Sequence, residues 1–210
     1  MLILSHRGYW NEGVKKNTGD AFKRSFELGF GTETDIRDYC GKLVISHDVP
    51  DLGVIDFEDF LKLYAEHTDH YCLALNIKSD GLQDLLLSSL NKNNISNYFV
   101  FDMSVPDALV HLDKGLKVFT RESEFEKEPS FYDQADGVWI DQMRGNWLTK
   151  ERIQYHLDNG KKICIVSPEL HQREYLNFWK ECKEMCKELK TDDMMLCTDL
   201  PEEARRFFHD

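Results

Sequence analysis

Short apolar, β-prone runs recur eight times along the chain, at Leu2–Ser5, Thr32–Ile36, Cys72–Ile77, Tyr98–Phe101, Leu116–Phe119, Val138–Ile140, Ile163–Val166 and Met195–Cys197. Segments of helical periodicity or charge separate most of them: Thr18–Leu28, Phe57–Glu66, Leu82–Leu90, Pro106–Leu112, Thr149–Asp158, Glu169–Leu189 and Pro201–Phe208. A strand that is apolar on both faces has to be covered on both, and alternation with helices does this through parallel βα units. The weakest unit is Glu122–Asp136, which is polar and holds Pro129. A doubly wound open sheet is the competing architecture, but its first turn ordinarily carries a glycine-rich nucleotide loop, and "SHRGYWNEG" has no GxGxxG. The expectation is an α/β chain forming a small (β/α)8 TIM barrel, for which about 200 residues is the lower limit. Without a Gly, Ser or Pro tract long enough to act as a linker, residues 1–210 are expected to form one domain.

Composition narrows the partners. Acidic residues outnumber basic ones 38 to 26, for a formal net charge of −12. That field repels a polyphosphate backbone, so nucleic acid is not expected as a partner. A small anionic substrate requires a local cation, from metal or side chains, to reverse the field at the site. No apolar run reaches the roughly 18 residues of a membrane span, and the start lacks the pattern of a signal peptide. The six cysteines contain no CxxC, which in a chain this long points away from a disulfide framework and toward a reducing cytoplasm.

One stretch breaks the apolar rule. In "GTETDIRDYCGKLVISHD", Gly31–Asp48, a hairpin turning at Cys40 and Gly41 would carry Glu33 and Asp35 on one face of its first arm. With that turn, residue i faces residue 81 minus i, so His47 lies opposite Thr34 and close to both carboxylates. Other polar residues fall at strand ends: His6 and Arg7 after the first strand, Asn76 and Lys78 at the end of the third. A barrel builds its active site at the carboxyl ends of its strands. Taken singly, each residue has an ordinary reading as a satisfied histidine or a solvated charge. Together they describe metal-assisted phosphodiester cleavage: carboxylates for a hard divalent cation, histidines to exchange protons near neutral pH, and Arg7 with Lys78 to hold a phosphate.

The segments "SHRGYW", "NTGDAFKRSFELGFGTETDIRDYCGKLVISHD", "LNIKS" and "CTDLPEEA" resemble the glycerophosphodiester phosphodiesterase family, whose pattern runs HRG, ENT..AF, E.D, HD and then E.K. The dense match lies in the first 50 residues. The resemblance implies a (β/α)8 barrel using a divalent metal, Mg²⁺ or Ca²⁺, on a small-molecule phosphodiester. It implies Glu33 and Asp35 as metal ligands with Asn76 beside them, His6 and His47 as acid and base, and Arg7 and Lys78 as phosphate contacts. Lys16 stands where the family has the Glu of ENT, and Asn76 where it has a metal-binding Glu. Only Val49–Ile55 separate HD from the next helix, so little or no inserted subdomain and a more open pocket are expected. A phospholipase C-type lyase that stops at a cyclic phosphate, and a barrel that binds without catalysis, are the rival readings.

Overall fold

The structure is a computed structural model, described for residues 1–11, 13–67, 71–191 and 193–209. The chain packs as two compact units, Ser5–Val118 and Met1–Leu4 with Phe119–Asp210.

The Ser5–Val118 unit includes the end of β1 (Leu2–His6) and then α1 (Gly19–Glu27), β2 (Gly31–Tyr39), β3 (Lys42–Ile45), β4 (Ile55–Asp56), α2 (Phe57–Ala65), β5 (Leu73–Ile77), α3 (Gln83–Lys92), β6 (Tyr98–Phe101) and α4 (Val105–Asp113). β2, β5 and β6 run parallel in that order, and the hairpin β3 and the short β4 pair antiparallel on the other side of β2. β5 is buried along its whole length, as a parallel strand covered on both faces must be. The hairpin turns where its sequence predicts: Cys40 and Gly41 both have positive φ, 49° and 79°, as a two-residue type I′ turn requires. Its register follows, with Ile36 opposite Ile45 and Tyr39 opposite Lys42.

Helix α1 begins at Thr18, whose hydroxyl accepts the Ala21 N–H, and α2 at Asp56, whose carboxylate accepts the Glu58 N–H at 2.9 Å. The buried faces of the two helices meet through Phe22 against Phe60 and Phe26 against Tyr64, edge to face at 4.7 and 5.4 Å. No subdomain intervenes between β3 and α2, where Ser46–Val54 form a loop that ends in β4.

The second unit holds the parallel strands β7 (Phe119–Ser123), β8 (Gly137–Asp141), β9 (Lys162–Val166) and β10 (Met194–Thr198), with α5 (Lys150–Asp158), α6 (Leu176–Leu189) and α7 (Pro201–His209). Two expectations need correction here. The strand expected at Leu116–Phe119 instead runs from Phe119 to Ser123, and Val118 lies before it in an isolated bridge to Val100. The polar segment expected from Glu122 on begins inside this strand, and Glu122 is buried because Arg152 of α5 grips it in a fork, at 2.7 and 2.9 Å. His156 Nε2 adds a contact at 3.0 Å. The helix expected over Glu169–Leu189 is broken as well. A 3₁₀ turn covers Pro168–His171, Gln172 takes φ 57°, and α6 starts only at Leu176. Glu169 is held out of the helix, its carboxylate accepting from the Ser167 and Thr198 hydroxyls and from Asp199 N–H. The apolar stripe of α6 does form core: Phe178, Trp179, Cys182 and Met185 are buried.

Burial pushes the Glu122 carboxyl up, but the hydrogen bonds and charges of His156 and Arg152 outweigh it and leave the group below its ordinary value. A depressed carboxyl stabilises the fold above the unfolded pKa, near 4.5, and that contribution is lost as pH falls through the folded pKa. Arg152→Ala strands the charge in the interior and is expected to cost about 3 kcal/mol at pH 7. Urea unfolding at pH 7 checks this; a change under about 0.5 kcal/mol would mean that the fork contributes nothing net.

Candidate active site

His6 closes β1, and the following two residues turn the chain sharply. Arg7 and Gly8 both have positive φ, 60° and 80°. For a long side chain such as Arg7 this costs on the order of 1 kcal/mol, and the surroundings hold it there. Arg7 N–H donates to the Glu33 carbonyl at 2.9 Å and lies 3.2 Å from Glu33 Oε2, while Asn17 N–H donates to the Arg7 carbonyl at 2.9 Å. Gly8 has no substitute, since a Cβ there would fall 2.8 Å from the Ala21 backbone. The HRG order thus has a backbone reason: it swings the Arg7 side chain toward β2 beside His6.

On β2 the period of two puts Glu33 and Asp35 on one face, 2% and 0% exposed. Parallel register sets Asp35 beside Asn76 of β5. Asp35 gathers the cations. Arg7 Nε lies 2.9 Å from Oδ2 as an ion pair without hydrogen-bond alignment, Asn17 Nδ2 donates to the same oxygen at 2.8 Å, and Lys78 Nζ is 3.4 Å from Oδ1. Glu33 is left with weaker company: His6 Nε2 stands 3.9 Å from Oε2, close enough for charge attraction and too far for a hydrogen bond. Burial therefore pushes the Glu33 carboxyl up to about 8, with the Asp35 charge adding to it; Arg7, Lys78 and a hydrogen bond from Asn76 oppose the rise and lose. Asn76 also donates from Nδ2 to Asp102 Oδ2 at 3.2 Å, and its Oδ1 is buried with no hydrogen-bond partner. Asp35 Oδ1 likewise accepts no hydrogen bond.

The structure thus brings six of the seven expected residues, His6, Arg7, Glu33, Asp35, Asn76 and Lys78, into one chain of contacts inside the Ser5–Val118 unit. His47 stands apart. The hairpin register continues to Ser46, whose N–H donates to the Asp35 carbonyl at 3.0 Å, but β3 itself ends at Ile45. His47 is exposed, with Nδ1 2.9 Å from Asp48 Oδ1 and its carbonyl accepting from Arg37 Nε at 3.2 Å. Two further residues contribute: Asn17, which holds Asp35 directly, and Asp102, which holds Asn76. Asn17 has a local signal, since it precedes the Thr18 cap and sits at φ 56°, a conformation that asparagine tolerates. The Lys16 ammonium lies 4.1 Å above the Trp10 ring.

Among the described residues no helix is long and apolar enough to cross a membrane, and no three His, Cys, Asp or Glu side chains form a ready-made metal cage. No family model and no curated protein matches the sequence. Solved structures do match. A protein of Galdieria sulphuraria, provisionally described as a glycerophosphodiester phosphodiesterase, superimposes with a TM-score of 0.80 at 18% identity, covering 100% of this chain and 98% of its own. A glycerophosphoryl diester phosphodiesterase from Parabacteroides distasonis gives 0.72 at 13% identity, covering 99% and 86%. A glycerophosphodiester phosphodiesterase from Agrobacterium tumefaciens gives 0.66 at 15%, covering 99% and 98%. Alternating strands and helices, a sheet dominated by parallel pairs and likeness over the full length lead to one conclusion: this chain has the TIM-barrel fold of the glycerophosphodiester phosphodiesterases.

Proposed function

We propose that the protein is a metal-dependent phosphodiesterase that hydrolyses a glycerophosphodiester, or a related small phosphodiester, to an alcohol and a phosphomonoester. The observation that carries this reading is the buried Glu33–Asp35 pair flanked by His6, Arg7 and Lys78. Like charges buried together are costly unless a cation answers them. The donor set suits a hard divalent ion such as Mg²⁺ or Ca²⁺, since Asp35 Oδ1 and Asn76 Oδ1 are buried oxygens without hydrogen-bond partners and Glu33 sits beside them with a raised pKa. Glu33, Asp35 and Asn76 would hold it. When bound, such an ion polarises a phosphoryl oxygen and lowers the pKa of a hydroxyl or water.

The remaining work falls to the chain's own side chains. Arg7 presents a fork and Lys78 a point charge, and both now rest on Asp35, so an incoming phosphate draws on two cations already aimed at one spot. Asp48 accepting from Nδ1–H of His47 would leave the lone pair on Nε2, which suits His47 as the base. His6, 3.9 Å from Glu33 Oε2, is the histidine left to give a proton to the leaving alcohol oxygen. All six cysteines are free, which suits a reducing compartment such as the cytoplasm.

Turnover of a panel of small phosphodiesters, with and without EDTA, tests the reading. Glycerophosphodiesters are expected to be cleaved, and chelation to abolish the activity. Activity that survives exhaustive chelation would remove the metal, and no turnover of any panel member would remove the phosphodiesterase.

A further inference from the structure

We propose that Asp107, outside the contacts described so far, is a positioning residue that aims Lys78 through the backbone of the segment following it. The inference rests on the phosphodiesterase reading and adds a residue to it. Lys78 lies just past β5, and the connection to α3 is only Lys78–Leu82. A lysine on a flexible stem points reliably only if its backbone is held; Lys78 N–H donates to the Ile36 carbonyl at 3.0 Å on one side, and three ties hold the segment that follows it on the other. Ser79 donates to Asp38 at 2.8 Å, Ser104 donates to both oxygens of Asp80 at 3.1 Å, and Gly81 N–H donates to Asp107 Oδ1 at 2.9 Å.

The ties are unequal. The first two are solvent-exposed and contribute little. The third is buried and ionic: Asp107 is 6% exposed, and the same Oδ1 also accepts from Gln83 Nε2 at 2.5 Å. Gly81 takes φ 86°, a turn that its N–H bond to Asp107 pins. A buried carboxylate needs compensation, and the folding supplies it from two directions. Asp107 lies in the first turn of α4 and faces the start of α3, which has no side-chain cap of its own, so it meets the positive ends of two helices. His111 then closes the cluster, with Nδ1 3.4 Å from Oδ2, 2.9 Å from the Asp107 carbonyl and 3.1 Å from Gln83 Nε2.

The test is a double-mutant cycle read by KM and by binding of inorganic phosphate in calorimetry. Asp107→Ala is expected to raise KM and the phosphate Kd about 10-fold, with kcat changed less than about threefold. On a Lys78→Ala background it should add nothing. Asp107→Asn keeps an oxygen for Gly81 and Gln83 but loses the charge, and should fall between wild type and Asp107→Ala. Ser104→Ala, which removes the tie to Asp80 and the hydroxyl that accepts the Asp107 N–H, should raise KM about twofold in the same direction, and serves if Asp107→Ala fails to fold. An Asp107→Ala or Ser104→Ala effect that persists undiminished on the Lys78→Ala background would overturn the proposal. So would an unchanged KM in both, or an Asp107→Asn variant as impaired as Asp107→Ala. A wild-type protein that neither cleaves phosphodiesters nor binds phosphate would overturn the phosphodiesterase reading itself, and this inference with it.

Discussion

His6→Ala and His47→Ala are each expected to lower phosphodiester turnover by about 10²- to 10⁴-fold while leaving the fold intact, the range for loss of a positioned acid or base. The two variants should differ in kind. His6 stands 3.9 Å from the buried Glu33, so its removal alters the charge balance at the carboxylates as well as proton delivery. His47 is exposed and paired with Asp48, so its removal should leave metal affinity unchanged. A substrate with a leaving group that needs no proton, such as a nitrophenolate, separates the roles: it should recover most of the rate in the variant that has lost the acid and none in the variant that has lost the base. On the assignment made above, the recovering variant is His6→Ala. Full activity in both variants would sink the assignment of either histidine to catalysis.

Glu33→Gln carries the second large effect, and its sign follows from linkage. With its pKa raised to about 8, Glu33 keeps a proton in the folded protein that the unfolded chain releases near 4.5. A raised pKa favours the folded state below the unfolded value and works against it as pH climbs toward the folded value. In EDTA, wild-type stability should therefore fall between about pH 4.5 and 8, at up to about 1.4 kcal/mol per pH unit. Glu33→Gln removes that slope. It should match wild type near pH 5 and exceed it by a few kcal/mol at pH 9, measured by urea unfolding. Adding Mg²⁺ or Ca²⁺ should recover wild-type stability at high pH, by an amount that grows with the logarithm of concentration, and should do little for the variant. Parallel pH profiles for the two proteins would show that Glu33 is not the strained acid of the site, and a variant that responds to metal as wild type does would remove Glu33 from the ligand set.

Much of this protein is written locally. The alternation of apolar runs and periodic segments determines the strand and helix order, because a parallel strand covered on both faces has few other ways to be buried. The Cys40–Gly41 pair determines the hairpin register, since a two-residue turn with both φ values positive leaves one pairing for every later residue. Period two then places Glu33 and Asp35 on one face, and the Arg7–Gly8 turn brings a guanidinium to them. What tertiary structure alone decided is the fate of each charge. Nothing near Glu122 in sequence announces Arg152 and His156, about 30 residues on, and without them the chain from Glu122 on reads as a polar segment. Nothing near Glu169 announces Thr198, which holds its carboxylate out of the expected helix. The same holds in the site. Glu33 and Asp35 look alike in the sequence, yet Asp35 receives Arg7, Asn17 and Lys78 while Glu33 receives His6 at a distance, and burial drives Glu33 up to about 8. Periodicity is a property of the backbone and can be read along the chain, whereas the energy of a buried charge depends on which partners the fold carries to it from far away in sequence.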